Sequence, residues 1–509
     1  MNLSILSLFS LLSLAPPADA AASQPDAPVA VTPETDSSST PAPEQPEQPV
    51  PSVDAPEPEP EPEPAPAPVP ATPEPVEAPA EPASEDPGQG PPVQTAKPKA
   101  DEDEVSPLVP NKQWALTQDV PINAQNIRFR PGKGLTFASK DDKYKLAMGL
   151  RVQMLYTLDH DNDAAPDVEP VTHTFQLRRA RLAFQGNVFG EHNKYKLELS
   201  FSPRDISLKN STAKFTILRD FYVEFDYLRN LTVRVGQYKL PYSHQRVISS
   251  GKLQLVDRSI VGSEFDLDRD IGIDIRSKDF LGVKRLRYYA GVYMGGGRDN
   301  YTLEPVAGRG GLVYIARIEV APFGQFDDYT EGDFDRTKKP RLSLGVAYSY
   351  MDDAVVNRGT KGSTPTDGGT TDYHNANAGL QFKVLGLAIS GEFFWRQGRR
   401  HVGDAEVEDE LGNLVLAPIE APRNGLGWFV QAGYMIPHAP IEVAARYSEI
   451  RALGTETETA ISDRREAGGG LSWYIAGHPY KLQADYFRIW DDAIGRGLDE
   501  IRVQAQISF

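Results

Sequence analysis

The stretch that decides the fold is Lys143–Thr157, KYKLAMGLRVQMLYT. Every second residue from Tyr144 to Tyr156 is apolar, and most residues between them are small or polar. A period of two is that of a β-strand, because successive side chains point to opposite faces. The run is much longer than an ordinary strand of about 5–6 residues. It therefore predicts a long strand with one apolar face.

The same alternation recurs to the end of the chain in about sixteen segments. Our approximate spans are 143–158, 174–188, 192–202, 213–227, 230–239, 269–277, 284–295, 311–321, 340–351, 374–384, 386–397, 425–436, 440–451, 464–476, 479–490 and 499–509. Bacterial outer-membrane barrels have an even number of strands. The segments therefore favour an all-β fold, a transmembrane antiparallel β-barrel of about 16 strands.

The connections between the segments give an independent indication. Tight turns such as 189–191 and 228–229 follow even-numbered segments, whereas long polar loops such as 240–268 and 398–424 follow odd-numbered ones. Short turns on one rim and long loops on the other are typical of an outer-membrane barrel. The connection 322–339 is long where a short turn is expected, so it is either an inserted segment or the result of a misplaced strand pair.

Which face meets lipid follows from the alternation. One row of each strand is apolar and aromatic, as in Phe221, Val223, Phe225 and Tyr227, and the opposite row carries charges. A soluble sandwich would bury the apolar rows, and the local pattern alone does not separate the two arrangements. Strand length, the asymmetry of the loops and an export signal favour a barrel with a polar lumen.

The chain divides into three parts. Residues 1–22 have an apolar run followed by Ala18-Asp19-Ala20, which predicts a cleaved signal peptide. Residues 23–125 are predicted to be a disordered, Pro/Glu-rich periplasmic spacer, and residues 126–509 the barrel. Most of the net charge belongs to the spacer, because residues 23–110 hold 19 acids and 2 bases. The barrel has no net charge that would favour nucleic acid.

The residue types argue against several kinds of chemistry. There is no cysteine, so disulfides, thiolate catalysis and Cys-based metal sites are excluded. The histidines form neither HExxH nor a triad motif such as GxSxG. We therefore expect no enzyme activity, no cofactor and no metal site. The last nine residues, IRVQAQISF, alternate and end in Phe509, which is similar to the C-terminal insertion signal of bacterial outer-membrane barrels.

An ordered set of short motifs runs along the strands and loops: Arg178–Leu182 (RRARL), Gly236–Tyr242 (GQYKLPY), Asp257–Ser259 (DRS), Asp268–Gly272 (DRDIG), Tyr289–Tyr293 (YAGVY), Ala316-Arg317 and Pro322–Gly324 (PFG). Together these motifs resemble those of the phosphate-selective porin O and P family. The resemblance covers roughly residues 130–509. It implies a homotrimeric outer-membrane porin in lipid and lipopolysaccharide, with an inward-folded third loop and arginines that draw phosphate through. A Pro/Glu tail stands where the family often has a coiled coil.

The candidate pore residues follow from the polar phase of the strands and from the loop that corresponds to the third loop of the family. They are Arg151, Arg179, Arg181, Arg234, Arg276, Arg287 and Arg317 on the strands, and Lys252 and Arg258 in residues 240–268. Rings of Arg or Lys favour anions. We expect passive diffusion of small anions, phosphate in particular. Alternatives are a general, sugar or organic-acid porin, marked by inward aromatics such as Tyr222, Tyr238, Tyr289 and Phe429, or a barrel that transports nothing, an adhesin or hydrolase.

Overall fold

The computed structural model describes residues 120–123, 127–165, 168–205, 217–300, 311–455, 457–492 and 495–509. The predicted signal peptide and nearly all of the predicted spacer lie outside these ranges. Val120–Asn123 is a strand, although the sequence analysis places it in the spacer. Regular structure therefore begins before residue 126.

Alternating apolar and polar residues form strands throughout the described part of the chain. In chain order they are β1 (Val120–Asn123), β2 (Ile127–Arg130), β3 (Gly134–Ala138), β4 (Lys145–Asp161), β5 (Val171–Asn187), β6 (Asn193–Ser200), β7 (Leu218–Leu228), β8 (Leu231–Lys239), β9 (Arg269–Ser277), β10 (Leu286–Tyr293), β11 (Val313–Val320), β12 (Arg341–Ala354), β13 (Thr370–Val384), β14 (Leu387–His401), β15 (Glu406–Glu408), β16 (Leu414–Leu416), β17 (Gly425–Met435), β18 (Ile441–Ala452), β19 (Arg464–Tyr474), β20 (Tyr480–Asp491) and β21 (Arg496–Ser508).

Sixteen of these strands, β4–β14 and β17–β21, form a closed antiparallel barrel. Each pairs with its neighbours in sequence, and β21 closes the barrel on β4 with a register from Leu498 opposite Asp161 to Ser508 opposite Arg151. Closure removes sheet edges, whose backbone groups would have no partner in lipid. The sixteen predicted segments correspond one to one with these strands, so the predicted fold class is confirmed.

The two faces of the barrel have opposite polarity. Large apolar side chains such as Phe221, Val346 and Trp473 are exposed on the outside. The residues that alternate with them point inward and include buried Gln, Glu, Lys and Arg. This is the inverse of a soluble sandwich, and it gives lipid an apolar surface and the lumen a polar one.

The connections on the two rims of the barrel differ in length as predicted, and each rim has one exception. One rim carries short turns, such as 229–230 and 385–386, and the other carries longer loops. Residues 321–340 form a long connection on the short-turn rim. Because β11 and β12 are adjacent and paired, this is an inserted segment and not a misplaced strand pair. On the long-loop rim, the connection between β20 and β21 is short.

The helices are brief and lie away from the lipid face. α1 (His244–Val247) and α2 (Ile260–Phe265) both belong to the connection between β8 and β9. Among the described residues, no helix has the length and apolar character needed to cross a membrane.

The outward face of β12 gives a test of the orientation. Val346 is 58% exposed in the middle of that strand. Replacing Val346 with Arg should lower the free energy of unfolding in liposomes by about 2–4 kcal/mol, because it places a charge in hydrocarbon. Val346→Leu is the control and should have little effect. Equal stability of the two variants in urea titrations would contradict a lipid-facing position.

Candidate functional site in the barrel lumen

Residues 240–268, which we call the inward loop, contact inward side chains of the barrel wall through their backbone. Inward side chains from four strands donate to loop carbonyls. These bonds run from Arg317 to Tyr242, Arg396 Nη2 to Phe265 (3.1 Å), Arg446 Nη1 to Asp257 (2.9 Å) and Lys481 Nζ to Leu253 (2.7 Å). Because these donors sit on β11, β14, β18 and β20, the loop is fixed against that half of the wall.

An apolar side of the inward loop packs on the same half of the wall. Val261 and Phe265 of α2 are buried in one cluster with Phe394, Phe429 and Ile450 from β14, β17 and β18. The rings of Phe265 and Phe394 are stacked with centroids 6.1 Å apart. Burying apolar surface in this way gives the loop a fixed position, and it leaves the wall formed by β5–β9 facing the polar side of the loop.

One carboxylate anchors α2. Glu264 is almost fully buried and lies 2.7 Å from Arg423, 3.3 Å from Arg464 and 3.7 Å from Arg396. Burial opposes ionisation of Glu264, but the hydrogen bonds from Arg423 and the charge of Arg396 outweigh it and lower the pKa to about 2. The carboxylate is therefore charged at neutral pH and offsets part of the surrounding positive charge.

The inserted segment, residues 321–340, meets the inward loop inside the lumen. Its Glu331 Oε2 accepts from the backbone N–H of Gln254 (2.8 Å) and from Gln431 Nε2 (2.9 Å). The carbonyl of Thr330 accepts from Lys383 Nζ at 2.8 Å. Two segments that enter from opposite rims thus fill the same side of the barrel.

A cavity of about 670 Å³ lies beside the inward loop. Its lining comes from β5, β7–β9 and β19–β21, and from the connections that follow β6, β10 and β12. Its lining includes thirteen Arg or Lys and seven Asp or Glu. The bases are Arg178, Arg179, Arg181, Arg204, Arg219, Lys239, Arg246, Arg258, Arg269, Arg298, Arg358, Lys361 and Arg502. This basic cavity is the candidate functional site.

Two β-bulges concentrate arginines on the cavity. The register between β4 and β5 shifts at Arg178, so that Arg178 and Arg179 both point inward and are buried. A second shift, between β6 and β7, lets Arg219 point inward beside Asp220. A bulge adds a residue to one strand and re-aims its side chain, so each bulge brings an extra guanidinium into the lumen.

The structure brings together only some of the nine predicted pore residues. Arg179, Arg181 and Arg258 line the basic cavity. Arg151 and Lys252 line a second cavity of about 460 Å³ at the short-turn rim. Of the described residues around that second cavity, four are Arg or Lys and none is Asp or Glu.

The other four predicted arginines line neither cavity and are engaged in ion pairs with the wall. Arg234 lies 2.5 Å from Glu224, Arg276 Nε lies 2.7 Å from Asp274, and Arg287 and Arg317 each lie 2.8 Å from Glu319. Their side chains neutralise inward carboxylates. An arginine on the inward face of a strand can therefore either line a cavity or form an ion pair with the wall, and its place in the alternation does not tell which.

Residues 147–302, which hold the bulges, the inward loop, most of β4 and all of β5–β10, match the family model described as Phosphate-selective porin O and P. Over these residues the resemblance to that family is confirmed, and this part of the chain is similar to outer-membrane porins. An uncharacterized protein of Aquifex aeolicus is 24% identical over 278 residues, which are 51% of this chain and 60% of that protein. The match thus spans less than two thirds of that relative.

Solved outer-membrane proteins resemble the chain at low identity. The outer membrane channel DcaP of Acinetobacter baumannii is 14% identical, with 73% of this chain and 99% of that chain covered and a TM-score of 0.45. OmpT of Vibrio cholerae in its trimer form is 11% identical, with 72% and 99% covered and a TM-score of 0.41. OpdK of Pseudomonas aeruginosa, solved with vanillate, is 10% identical, with 72% and 98% covered and a TM-score of 0.39.

Sequence reasoning missed most of the arginines that line the basic cavity. Arg178 and Arg219 lie on the wrong phase of a regular strand, and only the bulges turn them inward. The adjacent pair Arg178-Arg179 was the available signal, because neighbouring charges break the alternation. Arg298, Arg358 and other bases come from loops, where no period indicates direction.

The anchor at Glu264 can be tested directly. Glu264→Gln should loosen α2, because it leaves the buried guanidinium of Arg396 and the partly buried ones of Arg423 and Arg464 without their counter-charge. Breaking a buried ion pair typically costs about 3–5 kcal/mol. We expect a lower free energy of unfolding and a noisier open-channel current in planar bilayers. Glu408→Gln, in the exposed hairpin of β15 and β16, is the matched control. If both variants behave as the wild type does, Glu264 does not anchor the loop.

Proposed function

We propose that the porin passes small anions, phosphate or related oxyanions, by passive diffusion, with the inward loop as its constriction. The observation that carries this proposal is the basic cavity, whose lining has six more positive than negative side chains. Positive charge in a narrow space with low-dielectric walls raises the local concentration of anions. Rings of Arg or Lys act in this way in anion pores.

The pairing of the cavity bases supports passage and not tight binding. Arg181 Nη2 lies 3.0 Å from Asp205, and Arg269 Nε lies 2.6 Å from Asp220. Part of each guanidinium charge is thereby offset, so an anion meets several moderate attractions in succession. Conduction requires such weak, multiple contacts, because an ion that binds strongly at one place does not leave.

The turn Ser249–Gly251 is our candidate for the narrow point. Ser250 lines the basic cavity, whereas Ser249 and Gly251 line the second cavity. Arg151 reaches across and donates to Ser249 Oγ at 2.8 Å. A Cβ on Gly251 would lie 2.7 Å from Arg151 Nη1, so the absence of a side chain permits this close approach. An anion would pass Arg258 before the turn, and Arg151 and Lys252 after it.

The inward aromatics favour this proposal over a sugar channel. Tyr222, Tyr238, Tyr289 and Phe429 do not line the basic cavity. The guanidinium of Arg234 lies 4.2 Å from the ring centre of Tyr222, and that of Arg276 lies 5.2 Å from the ring centre of Tyr289. These rings hold arginines against the wall and do not form a platform for a sugar.

The assembly and its surroundings are proposed from the family resemblance, and the spacer from its Pro/Glu-rich composition. We propose a homotrimer embedded in lipid and lipopolysaccharide, with the predicted spacer, up to the start of β1 at Val120, on the periplasmic side. Chemical cross-linking in outer membranes that yields monomers only would contradict the trimer. Protease access to the spacer in intact cells would contradict its periplasmic side.

Charge removal at the cavity should lower anion selectivity more than charge removal elsewhere. Arg179→Gln and Arg258→Gln should each lower the anion-to-cation permeability ratio by about two- to threefold, since a unit charge some 7 Å away in water changes the energy of an ion by about RT. Arg234→Gln and Arg276→Gln remove the same charge outside the cavity and serve as controls. Reversal potentials under a salt gradient measure the ratio. Equal effects at all four positions would place the selective region elsewhere.

Lys361, which lines the basic cavity, predicts that anion selectivity depends on pH. Burial lowers the pKa of Lys361 to about 8, against the attraction of Asp266. The charge of Lys361 is therefore present below pH 8 and lost above it, so anion selectivity should fall as pH rises from 7 to 9. Lys361→Arg keeps its charge throughout and should remove this step. An identical pH profile for wild type and variant would show that Lys361 does not contribute.

A further inference from the structure

A group of side chains outside the lumen remains without a role in ion passage. At the long-loop rim, the end of β12, the start of β13 and the end of β14 bring Asp353, Asp372 and His401 together. One ligand atom from each residue can be chosen so that all three lie within 4.8 Å of one another. The three side chains are less than one quarter exposed, and solvent reaches them.

Asp372 and His401 lie on the outer side of the rim, and Asp353 reaches them past a register shift between Met351 and Ala354. Asp372 shares the outward phase of β13 with His374, which is exposed, and Asn375 and Asn377 on the other phase are buried. In β14, His401 shares its phase with Phe393, which is exposed to the outside. The group is thus separated from the basic cavity by the barrel wall.

The spacing of the ligand atoms fits a small tetrahedral cation. His401 Nε2 lies 2.8 Å from Asp372 Oδ2 and 3.9 Å from Asp353 Oδ1. In a tetrahedral zinc site with bonds of about 2.0–2.1 Å, two ligand atoms lie about 3.3 Å apart. The observed distances lie on either side of that value, so small side-chain movements would complete the geometry.

Neighbouring groups orient the carboxylates. The backbone N–H of Asp353 donates to Asp372 Oδ1 at 2.9 Å, which leaves Oδ2 turned to His401. Thr370 Oγ1 donates to Asp353 Oδ1 at 2.6 Å. Such second contacts fix the direction of metal-ligating side chains. Asp352 adds a further carboxylate nearby, and Arg399 is the base directly opposite Asp372 in the register.

We propose that Asp353, Asp372 and His401 form a binding site for a divalent cation of the zinc class, with the fourth position open to solvent. One imidazole and two carboxylates suit Zn²⁺, whereas Ca²⁺ takes six to eight oxygen ligands. Because each ligand comes from a different strand, the bound cation would tie the ends of β12, β13 and β14 together at the rim. The site is independent of what passes through the lumen.

Metal binding by the purified, EDTA-washed porin tests the proposal. Equilibrium dialysis with Zn²⁺ alone should give one cation per barrel at this site, and Co²⁺ in its place should give the visible absorption of a tetrahedral complex. His401→Ala and Asp372→Asn should each weaken Zn²⁺ binding at least about tenfold. His374→Ala is the matched control, since His374 lies on the same face and binds Tyr348 at 2.6 Å.

Heat-modified electrophoretic mobility confirms that each variant is a folded barrel before its affinity is compared. Wild type and His374→Ala should then bind alike, and the other two variants should not. Equal binding by His401→Ala and His374→Ala would overturn the site, and so would a wild-type porin that binds no Zn²⁺ at micromolar concentration.

Discussion

The rest of this structure depends on one constraint: inside a lipid bilayer, no water is present to bind a free backbone N–H or C=O group. The chain satisfies it by pairing β21 with β4, so that each barrel strand has two neighbours. A closed sheet facing lipid must be apolar outside, and the period of two then places the polar row of each strand inward. The charged lumen thus follows from closure of the barrel, whatever solute passes through it.

A charged lumen creates a second requirement, because buried charges need partners. The wall meets part of it with pairs such as Arg234–Glu224, and the inward loop meets more of it with its carbonyls and with Glu264. In both cavities, the described lining contains more bases than acids. The candidate site is therefore identified by the balance of charge in each region and not by the presence of any single arginine.

The period of two made the sixteen strands predictable, because a lipid-facing row tolerates few exceptions. The same period misassigned the site where it breaks down. Arg178 and Arg219 lie at bulges, which depend on how two strands pair and not on the residues of one strand. Arg287 meets Glu319 only because β10 pairs with β11 in a register that sets the two residues opposite each other. Arg317 and Glu319, by contrast, share the inward face of β11, so the period of two alone places them together. Asp353, Asp372 and His401 are distant in sequence, and only the register of β12–β14 unites them.

The closing seam also sets the order in which the chain can become a barrel. Gln153 of β4 donates to Gln506 of β21 at 2.5 Å across a separation of 353 residues. Contacts so distant along the chain form late, because the entropic cost of closing a large loop must be met before strand pairing gives any stabilisation. Until β21 is in place between β20 and β4, those two strands have open edges that are able to pair with other chains. Biogenesis of this protein is therefore most vulnerable to aggregation just before its final thirteen-residue strand is in place.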